Sequence, residues 1–518
     1  MSPRRTVFVG TDPPPGRTFD WVVEPAARVS LAKSVRLPDI RVVKQLLDEA
    51  VPVIEALTDG TVESSLRDEF FQLVLFVARA EATLRALDSS EAHTVVATQR
   101  LPRPSRPGRI GAGFAHFLGA DLEWIGGRRP PRFPAGVVGS TRAWRWSRGN
   151  SGFTPSSIVA AVGGPSERRA LEPVCDRLES GTVGLLDFSL IPDPDLASFG
   201  SFLTGRDAIG GIGAGAFLRR TTDVWGSHDW WGARWLPWVR PSMSVMARIT
   251  LREAVLFRQA ALRALEGSQI LLTAKVRFAR ARAIVAAARE LGLTTVGIQH
   301  GMYVDGNEWT DIRTDIFAVS GDSFARILER HGYQGEVVKV GAPFYRIPDQ
   351  GWDCGIALQP PEGVVITSFE DYQRHALWAY QTARRVLGEA ATIGFRLHPR
   401  ENERTLRDIV GEGPSLSRDT GQGAALWITI ESSFVVEAVL SEAPVVLINF
   451  NEHPWEYRFV DMPGSRVATS ESELREALVE MQGGVTVALL DVWRKEFATA
   501  TGDEASAAIA RMLVDRVG

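Results

Sequence analysis

Residues 426–448, with the sequence LWITIESSFVVEAVLSEAPVVLI, decide the fold class of this chain. An apolar run at 426–430 is followed by a short segment with helical spacing at 435–441 and by a second apolar run at 444–448. Strands of continuous Val, Ile and Leu separated by a helix are typical of parallel βαβ units with both sheet faces covered. The stretch therefore predicts an α/β fold.

The same alternation fills most of the second half of the chain. One series occupies residues 269–340, and another begins at residue 363. Residues 342–363, between them, contain four prolines and are predicted to link two sheets. The 518 residues also exceed a single hydrophobic core, which stops growing at about 250–300 residues. We therefore expect an α/β protein with two doubly wound, Rossmann-like domains that face each other across a cleft.

The predicted domain boundaries follow from this linker. Residues 1–345 are expected to form an N-terminal domain, residues 346–495 a C-terminal domain and residues 496–518 a C-terminal helix. Residues 100–165 are rich in Pro, Gly and Arg, which predicts an irregular insertion in the first domain. The other elements expected before residue 190 are strands at 6–9, 93–98 and 182–188 and helices at 40–57, 66–87 and 166–179.

Composition and charge exclude several classes of protein. The 58 basic and 62 acidic residues give a net charge of −4, whereas a general nucleic-acid binder normally has a strongly basic domain. A hydrophobic fraction of 45% excludes wholesale disorder. No apolar run reaches the ~18 residues of a membrane span, and residues 7–9 are too short for a signal-peptide core. Cys175 and Cys354 lack partners at metal-ligand spacing, which predicts no disulfide scaffold or zinc site and a cytoplasmic location.

A histidine ends one of the predicted strands. The run GIQHGM, residues 297–302, places His300 directly before Gly301, which lets the backbone turn sharply. An imidazole at this strand end would point into the cleft, where it can exchange a proton near neutral pH. A histidine that is hydrogen-bonded beneath a loop fits the same pattern equally well.

A second predicted strand ends in groups suited to an anion. In RLHPRE, residues 396–401, Pro399 prevents further pairing on a central strand and turns the chain into a loop. Around it, Arg396, His398 and Arg400 offer hydrogen-bond donors for phosphate oxygens. Three donors around one proline favour an anion site over a solvated loop.

A pair of serines separates a third strand from its helix. Ser432 and Ser433 follow the apolar run 426–430, an arrangement that directs hydroxyls and backbone N–H groups at an anion. Serines are also ordinary helix caps, so this pattern is weak by itself. One turn later, Glu437 is placed either to reach sugar hydroxyls or only to favour the helix start through the helix dipole.

A fourth predicted strand end is TSFED, residues 367–371. The adjacent carboxylates Glu370 and Asp371 do not share a face, so they do not form a paired acid and base. Ser368 and Glu370 are instead expected to contact a ribose or a base, or to cap the following helix.

Taken in order, GIQHGM, TDIFAVSGDSFARILERHGY, VVKVGAPFYR, RLHPRE and ESSFVVEAVLSEAPVVLINF resemble the GT-B glycosyltransferases of bacterial surface-carbohydrate assembly. The chain is most similar to the branch with polysialyltransferases, related sialyltransferases and capsule Kdo transferases, and less so to CDP-glycerol polymerases. The resemblance covers roughly residues 269–450. The family's His-Pro motif falls on His398 and Pro399, and its serine-pair motif falls on Ser432 and Ser433. In those enzymes the two motifs hold the nucleotide phosphate of a CMP-activated donor.

This resemblance implies an enzyme that moves a sugar from a nucleotide-activated donor to a glycan or other hydroxyl acceptor. A CMP-linked acidic sugar is the favoured donor, and neither a metal nor a cofactor is expected. The C-terminal domain would bind the donor, and the N-terminal domain would bind the acceptor. Transfer of a polyol phosphate from a CDP-linked donor, and a non-catalytic glycan- or nucleotide-binding relative, remain as alternatives.

The general base is where the sequence departs from the family. The acidic-acidic-glycine motif that carries the base in the sialyltransferases is matched only in part, by Thr58-Asp59-Gly60 and by Val304-Asp305-Gly306. His300 is therefore the first candidate for the base, and Asp305 is the second.

Five tryptophans fall within residues 225–238. Trp230, Trp231 and Trp235 are candidates for stacking on acceptor sugars, or for seating the protein at the inner face of a membrane that holds a lipid-linked acceptor. Aromatic packing between domains explains the same cluster equally well.

Overall fold

The computed structural model of the chain describes residues 5–9, 21–23, 40–57, 67–87, 93–100, 103–104, 115–117, 121–126, 156–163, 165–179, 181–187, 214–227, 229–240, 243, 257–258, 261–274, 276, 279–301, 312–345, 349–358, 369–397, 403–418, 422–429, 434–450, 462–483 and 486–517. The fold and the contacts below concern these residues.

The described residues form both strands and helices in each half of the chain. The first half contains β1 (Arg5–Val9), β2 (Trp21–Val23), α1 (Ile40–Leu57), α2 (Arg67–Ala86), β3 (His93–Arg100), β4 (Arg103–Pro104), β5 (Asp121–Gly126), β6 (Ile158–Val162), α3 (Pro165–Cys175), β7 (Val183–Asp187), α4 (Ala214–Ser227) and a 3-10 helix (Trp231–Trp235). The second half contains β8 (Ile270–Thr273), α5 (Ala279–Glu290), β9 (Thr294–Ile298), β10 (Ile316–Val319), α6 (Asp322–Arg330), β11 (Glu336–Lys339), β12 (Asp349–Trp352), β13 (Cys354–Ala357), α7 (Phe369–Leu387), β14 (Ile393–Arg396), α8 (Glu403–Val410), β15 (Ser415–Ser417), β16 (Gln422–Ala424), β17 (Trp427–Thr429), α9 (Phe434–Leu440), β18 (Val445–Ile448), β19 (Ser465–Ala468), α10 (Glu471–Glu480), a second 3-10 helix (Met481–Gly483), α11 (Val487–Phe497) and α12 (Gly502–Val517).

Two six-stranded sheets carry the α/β architecture. We call them the second and third sheets, because a smaller sheet precedes them in the chain. The second sheet runs β11-β10-β9-β8-β6-β7, and the third runs β15-β14-β13-β17-β18-β19. Every strand pair in both sheets is parallel. The prediction of two doubly wound, Rossmann-like sheets is therefore confirmed.

The order of strands in each sheet fixes where a ligand fits. Counted within its own sheet, the third sheet has the order 3-2-1-4-5-6, which is that of the dinucleotide-binding fold. Its direction of winding reverses between β13 and β17. The second sheet has the order 2-1-3-4-5-6 and reverses between β6 and β8. Ligands of such sheets bind at the carboxyl ends of the strands around the reversal.

The smaller first sheet occupies the first part of the chain, and the prediction of two domains did not include it. Strand β3 pairs with β1, β4 and β5, and β2 completes the sheet on the far side of β1. Helices α1, α2 and α4 cover it, and Trp225 and Trp235 are buried in the same core. We call the part formed by residues 5–126 and 214–243 the first lobe, residues 158–187 and 257–345 the second lobe, and residues 349–483 the third lobe.

The predicted irregular insertion at residues 100–165 is wrong in two places. Strand β5 pairs along its length with β3, and β6 is an interior strand of the second sheet, between β8 and the edge strand β7, with all five residues buried. Both strands are short and lie within a stretch rich in Pro, Gly and Arg. Composition averaged over the whole stretch therefore concealed them. Besides these two strands, only residues 100, 103–104, 115–117, 156–157, 163 and 165 of this stretch belong to the described residues.

The predicted linker at residues 342–363 is also wrong in part, because it contains β13, the central strand of the third sheet. Gly355 explains why this strand was missed. A Cβ at Gly355 would lie 2.4 Å from the ring of Trp427, so a glycine is needed for the indole to pack against the strand. The strand predicted at 363–367 lies outside the described residues.

The C-terminal helices connect the second and third lobes. Helix α11 packs against α6 of the second lobe and against α9 of the third lobe, and α12 packs against α3. The chain between α11 and α12 is tied to the second lobe by hydrogen bonds from Thr499 N to Ser320 O at 2.8 Å and from Ala342 N to Ala500 O at 2.8 Å. Among the described residues, no helix is both long and apolar enough to cross a membrane.

Candidate functional site

The ends of three adjacent strands define the candidate site in the third lobe. Ile356 of β13 is level with Phe395 of β14, and Ala357 is level with Thr429 of β17. Since neighbouring strands lie about 4.8 Å apart, the backbone at Arg396 and at Thr429 is separated by roughly 10 Å. Strands β14 and β17, which precede His398 and Ser432 in the sequence, thus end on either side of β13, beside the reversal between β13 and β17.

Arg396 is the described member of this set with the most informative contacts. Its Nη2 lies 3.4 Å from Oε2 of Glu437, and its Cζ lies 4.2 Å above the ring of Phe434. Only 14% of the Arg396 side chain is exposed. The guanidinium therefore connects the end of β14 to the first turn of α9 and holds a positive charge at the edge of the sheet.

Glu437 has a contact that the sequence did not predict. It was expected to reach sugar hydroxyls or to stabilise the start of the helix; the structure places it in the first turn of α9 and also pairs its carboxylate with Arg396. Every residue of α9 is buried, and 8% of Glu437 is exposed. A carboxylate at this depth requires a partner of opposite charge, and Arg396 provides it.

A group of aromatic side chains packs beside this edge, between α7 and the end of β18. The ring of Phe450 lies 5.0 Å from that of His375 and 4.8 Å from that of Trp378. The Cζ atom of Arg374 lies 5.1 Å from the ring of Trp378. Sequence analysis missed these residues because they come from two segments more than seventy residues apart. The spacing of His375 and Trp378 by three residues on one helix is the signal that relates them.

The remaining predicted donor-site residues are only partly described. Glu370 lies in the first turn of α7, and its side chain is outside the described residues. The residues Ser368, His398, Pro399, Arg400, Ser432 and Ser433 lie outside the described residues altogether. By sequence, His398 comes two residues after the end of β14, and Ser432 comes three residues after the end of β17.

The candidate base belongs to the second lobe. His300 comes two residues after the end of β9 and is partly exposed. The neighbouring strand β10 ends at Val319 and is followed by Ser320, which is buried. Asp305, the second candidate, lies outside the described residues.

The tryptophan cluster lies in the first lobe and is engaged in internal hydrogen bonds. Trp235 is fully buried, and its Nε1 donates to Oε2 of Glu81 at 3.0 Å. Trp231 Nε1 donates to the Leu46 carbonyl and Trp230 Nε1 to the Trp225 carbonyl, each at 2.9 Å. A side chain without exposed surface cannot stack on a sugar, so the structure places Trp235 in the core. Trp230 and Trp231 are partly exposed.

The described residues contain neither a metal-ligating cluster nor an activated thiol. Within the described part of the chain, no three His, Cys, Asp or Glu side chains are placed to hold a metal ion. Burial raises the pKa of the Cys354 thiol to about 12 and the pKa of the Cys175 thiol to about 11. Both thiols are therefore protonated at neutral pH and are not activated as nucleophiles.

Comparisons with known proteins give only a distant likeness. No family model matches the chain, and no curated protein matches it. A structure of the wall teichoic acid polymerase TagF is 9% identical and covers 73% of this chain and 94% of its own, with a TM-score of 0.41. A UGT transferase from Siraitia grosvenorii in complex with UDP is 9% identical and covers 70% of this chain and 99% of its own, with a TM-score of 0.39. At this level of similarity, no activity or ligand transfers from those proteins to this chain.

Proposed function

We propose that this protein is a glycosyltransferase that takes a sugar from a nucleotide-activated donor, with a CMP-linked acidic sugar favoured, and passes it to a glycan or other hydroxyl acceptor. The observation that carries the proposal is the position of β14, β13 and β17 side by side at the reversal point of a 3-2-1-4-5-6 sheet. The two segments that resemble phosphate-binding motifs both begin at this edge.

The donor side of the proposed reaction requires positive charge and hydrogen-bond donors. Sugar transfer leaves negative charge on the departing nucleotide phosphate, and preorganised donors aimed at that charge lower the barrier. Arg396 places a cation at this edge. We propose that His398, Arg400, Ser432 and Ser433, with Pro399 shaping the loop, supply the other contacts. Ser368 and Glu370 would contact the nucleoside.

The acceptor side requires a base. Transfer to a hydroxyl needs a group within hydrogen-bond reach of the proton that leaves, and an imidazole is suited to that role near neutral pH. We propose His300 as this base and Asp305 as the second candidate. In this scheme residues 1–345 hold the acceptor and residues 346–495 hold the donor, with Trp230 and Trp231 as acceptor contacts. The reaction needs neither a metal nor a cofactor.

The first experiment measures binding of CMP, CDP and UDP to the full-length protein by calorimetry and then follows hydrolysis of the matching donors. We expect CMP to bind, and we expect His398→Ala to lower turnover about 100-fold, the typical cost of one lost donor to a developing anion. His331, partly exposed at the end of α6, gives a matched His331→Ala control that should leave turnover unchanged. A His398→Ala variant that retains turnover within a few-fold of wild type would contradict the assigned role.

Two alternatives have distinct outcomes in the same experiment. Transfer of a polyol phosphate from a CDP-linked donor would use the same phosphate contacts, and the mass added to the acceptor separates it from sugar transfer. A non-catalytic relative would bind a nucleotide without turning over any donor.

We further propose a cytoplasmic location with contact at the inner face of the membrane when the acceptor is lipid-linked, which co-sedimentation with vesicles would test.

A further inference from the structure

Gln299, the residue before His300, uses both ends of its side chain. Its Oε1 accepts hydrogen bonds from Ser320 N at 2.9 Å and from Ser320 Oγ at 2.8 Å. Its Nε2 donates to the carbonyl of Gly301 at 2.8 Å. Gln299 and Ser320 are 2% and 3% exposed, so water does not compete for the two bonds between them. A single carboxamide thus connects the ends of β9 and β10 to the turn that follows.

This arrangement holds the backbone on both sides of His300. Before it, Gln299 N donates to the Ala318 carbonyl at 3.0 Å and continues the pairing of β9 with β10. After it, the Gly301 carbonyl is fixed by the Gln299 side chain. His300 and Gly301 therefore form a turn that is fixed at both ends by Gln299. The Gln299 backbone precedes the turn, and the Gln299 side chain binds the Gly301 carbonyl.

The other partner of Gln299 is also fixed. The Ser320 carbonyl accepts from Thr499 N at 2.8 Å and from Thr499 Oγ1 at 3.3 Å. Thr499 lies in the chain between α11 and α12, which packs onto the second lobe. Ser320 is thus held through its carbonyl by Thr499 as well as through its N–H and hydroxyl by Gln299.

We propose that Gln299 is a positioning residue that sets the location of the His300 imidazole. The inference rests on the proposed role of His300 as the base. A base must lie within hydrogen-bond reach of its proton, and a displacement of about 1 Å can cost on the order of 100-fold in rate. A neutral amide achieves this placement without adding a charge beside the imidazole, which would change its proton affinity.

The first test does not depend on activity. Full-length protein is treated with diethyl pyrocarbonate over a range of pH, and mass spectrometry follows modification of each histidine. The rate limit reached at high pH reports access to the neutral imidazole, and the midpoint reports its proton affinity. In Gln299→Met, which keeps side-chain length and removes both polar ends, we expect the limiting rate at His300 to change about five-fold, comparable to the loss of one or two hydrogen bonds.

Two further variants keep this test decisive. Ser320→Ala removes one of the three hydrogen bonds, retains the backbone donor, and should change the limiting rate at His300 by about two-fold. Gln334 is the matched control, because its Nε2 donates to the Gly332 carbonyl at 2.8 Å in an exposed turn. Gln334→Met should leave His300 unchanged. A folded Gln299→Met protein, as judged by circular dichroism, with wild-type reactivity at His300 would overturn the proposal.

Kinetics separate this proposal from the proposed function. With CMP-N-acetylneuraminic acid as donor, Gln299→Met should lower kcat about 30-fold and leave the donor KM within about three-fold, because the donor site is in the other lobe. If His300→Ala retains wild-type kcat, the base is another residue and the proposed role of His300 fails. Altered reactivity of His300 in Gln299→Met would in that case still support Gln299 as the residue that positions it.

Discussion

The carboxyl-terminal edges of the second and third sheets use different means to hold the residues predicted for the site. At the second sheet, neutral side chains do so: Gln299, Ser320 and Thr499 fix the turn at His300 through hydrogen bonds. At the third sheet, a charged pair does so: Arg396 and Glu437 join β14 to α9. A group that must accept a proton tolerates a neutral support, whereas a group that must face an anion needs a cation whose own position is fixed. The two parallel sheets therefore differ at the edge where chemistry is proposed.

The largest effect is expected when the cation at the third edge is removed. Arg396→Gln should lower donor turnover about 100-fold by removing a cation beside the proposed phosphate site. It should also lower the free energy of unfolding by about 3 kcal/mol, because Glu437 keeps a buried charge without its partner. Donor hydrolysis and urea unfolding measure the two effects.

Glu437→Gln is the matched control for Arg396→Gln. It keeps an oxygen acceptor for Arg396 and leaves the guanidinium stacked on Phe434, so the cation stays at the sheet edge. Turnover should fall by less than in Arg396→Gln. Equal losses of turnover in the two variants would show that the ion pair matters and that the cation by itself does not.

The contact between the second lobe and the C-terminal segment gives the second prediction. Gly341 has φ +90, and a Cβ there would lie 2.3 Å from the carbonyl oxygen of Ala500 in the C-terminal segment. Gly341→Ala should therefore cost about 3 kcal/mol, from backbone strain together with the displaced contact. Gly332→Ala is the control, because Gly332 has φ +70 and a Cβ added there would meet no atom within 4 Å. It should cost about 1 kcal/mol. Equal shifts of the denaturation midpoint would mean that the contact with Ala500 contributes nothing.

Continuous apolar runs made the buried strands of the two large sheets predictable. Strands β17 and β18 follow directly from residues 426–448, because a parallel strand covered on both faces is a nearly continuous apolar run. Strand β13 was missed because its apolar run is interrupted by Gly355. The Trp427 ring fills the space beside this position, so the strand has a glycine where an apolar side chain would have indicated a strand. Short strands depend on partners that a sequence window does not contain.

The candidate site was predictable in its location and less so in its contacts. Strand ends are local features, so Arg396 and His300 were placed at sheet edges from the sequence alone. Glu437, the partner of Arg396, is 41 residues away in the sequence. The two residues meet because α9 follows β17, and only β13 lies between β17 and β14 in the sheet. The role of Gln299 depends on Ser320 in the same way. Long-range pairs of this kind require the strand order, which the sequence does not state.

The smallest predicted effect concerns the opposite edge, where the two sheets are alike. In the third lobe the Asp353 carboxylate accepts from Thr392 N at 2.7 Å and from Thr392 Oγ1 at 2.8 Å, and in the second lobe Asp315 holds Thr295 N and Oγ1 in the same way. The hydrogen bonds from Thr392 lower the pKa of Asp353 below its usual value of 3.8. The stabilisation that the Asp353 carboxylate contributes is therefore complete above pH 3.8, the pKa of the unfolded state. It is lost as the pH falls through the lower pKa of the folded state. Asp353→Asn should lower the free energy of unfolding by about 0.5 kcal/mol at pH 7, since the group is exposed. The difference from wild type should shrink below about pH 4, as urea unfolding at several pH values would measure. A difference that is constant from pH 7 to pH 3 would mean that the carboxylate charge has no part in joining β13 to β14.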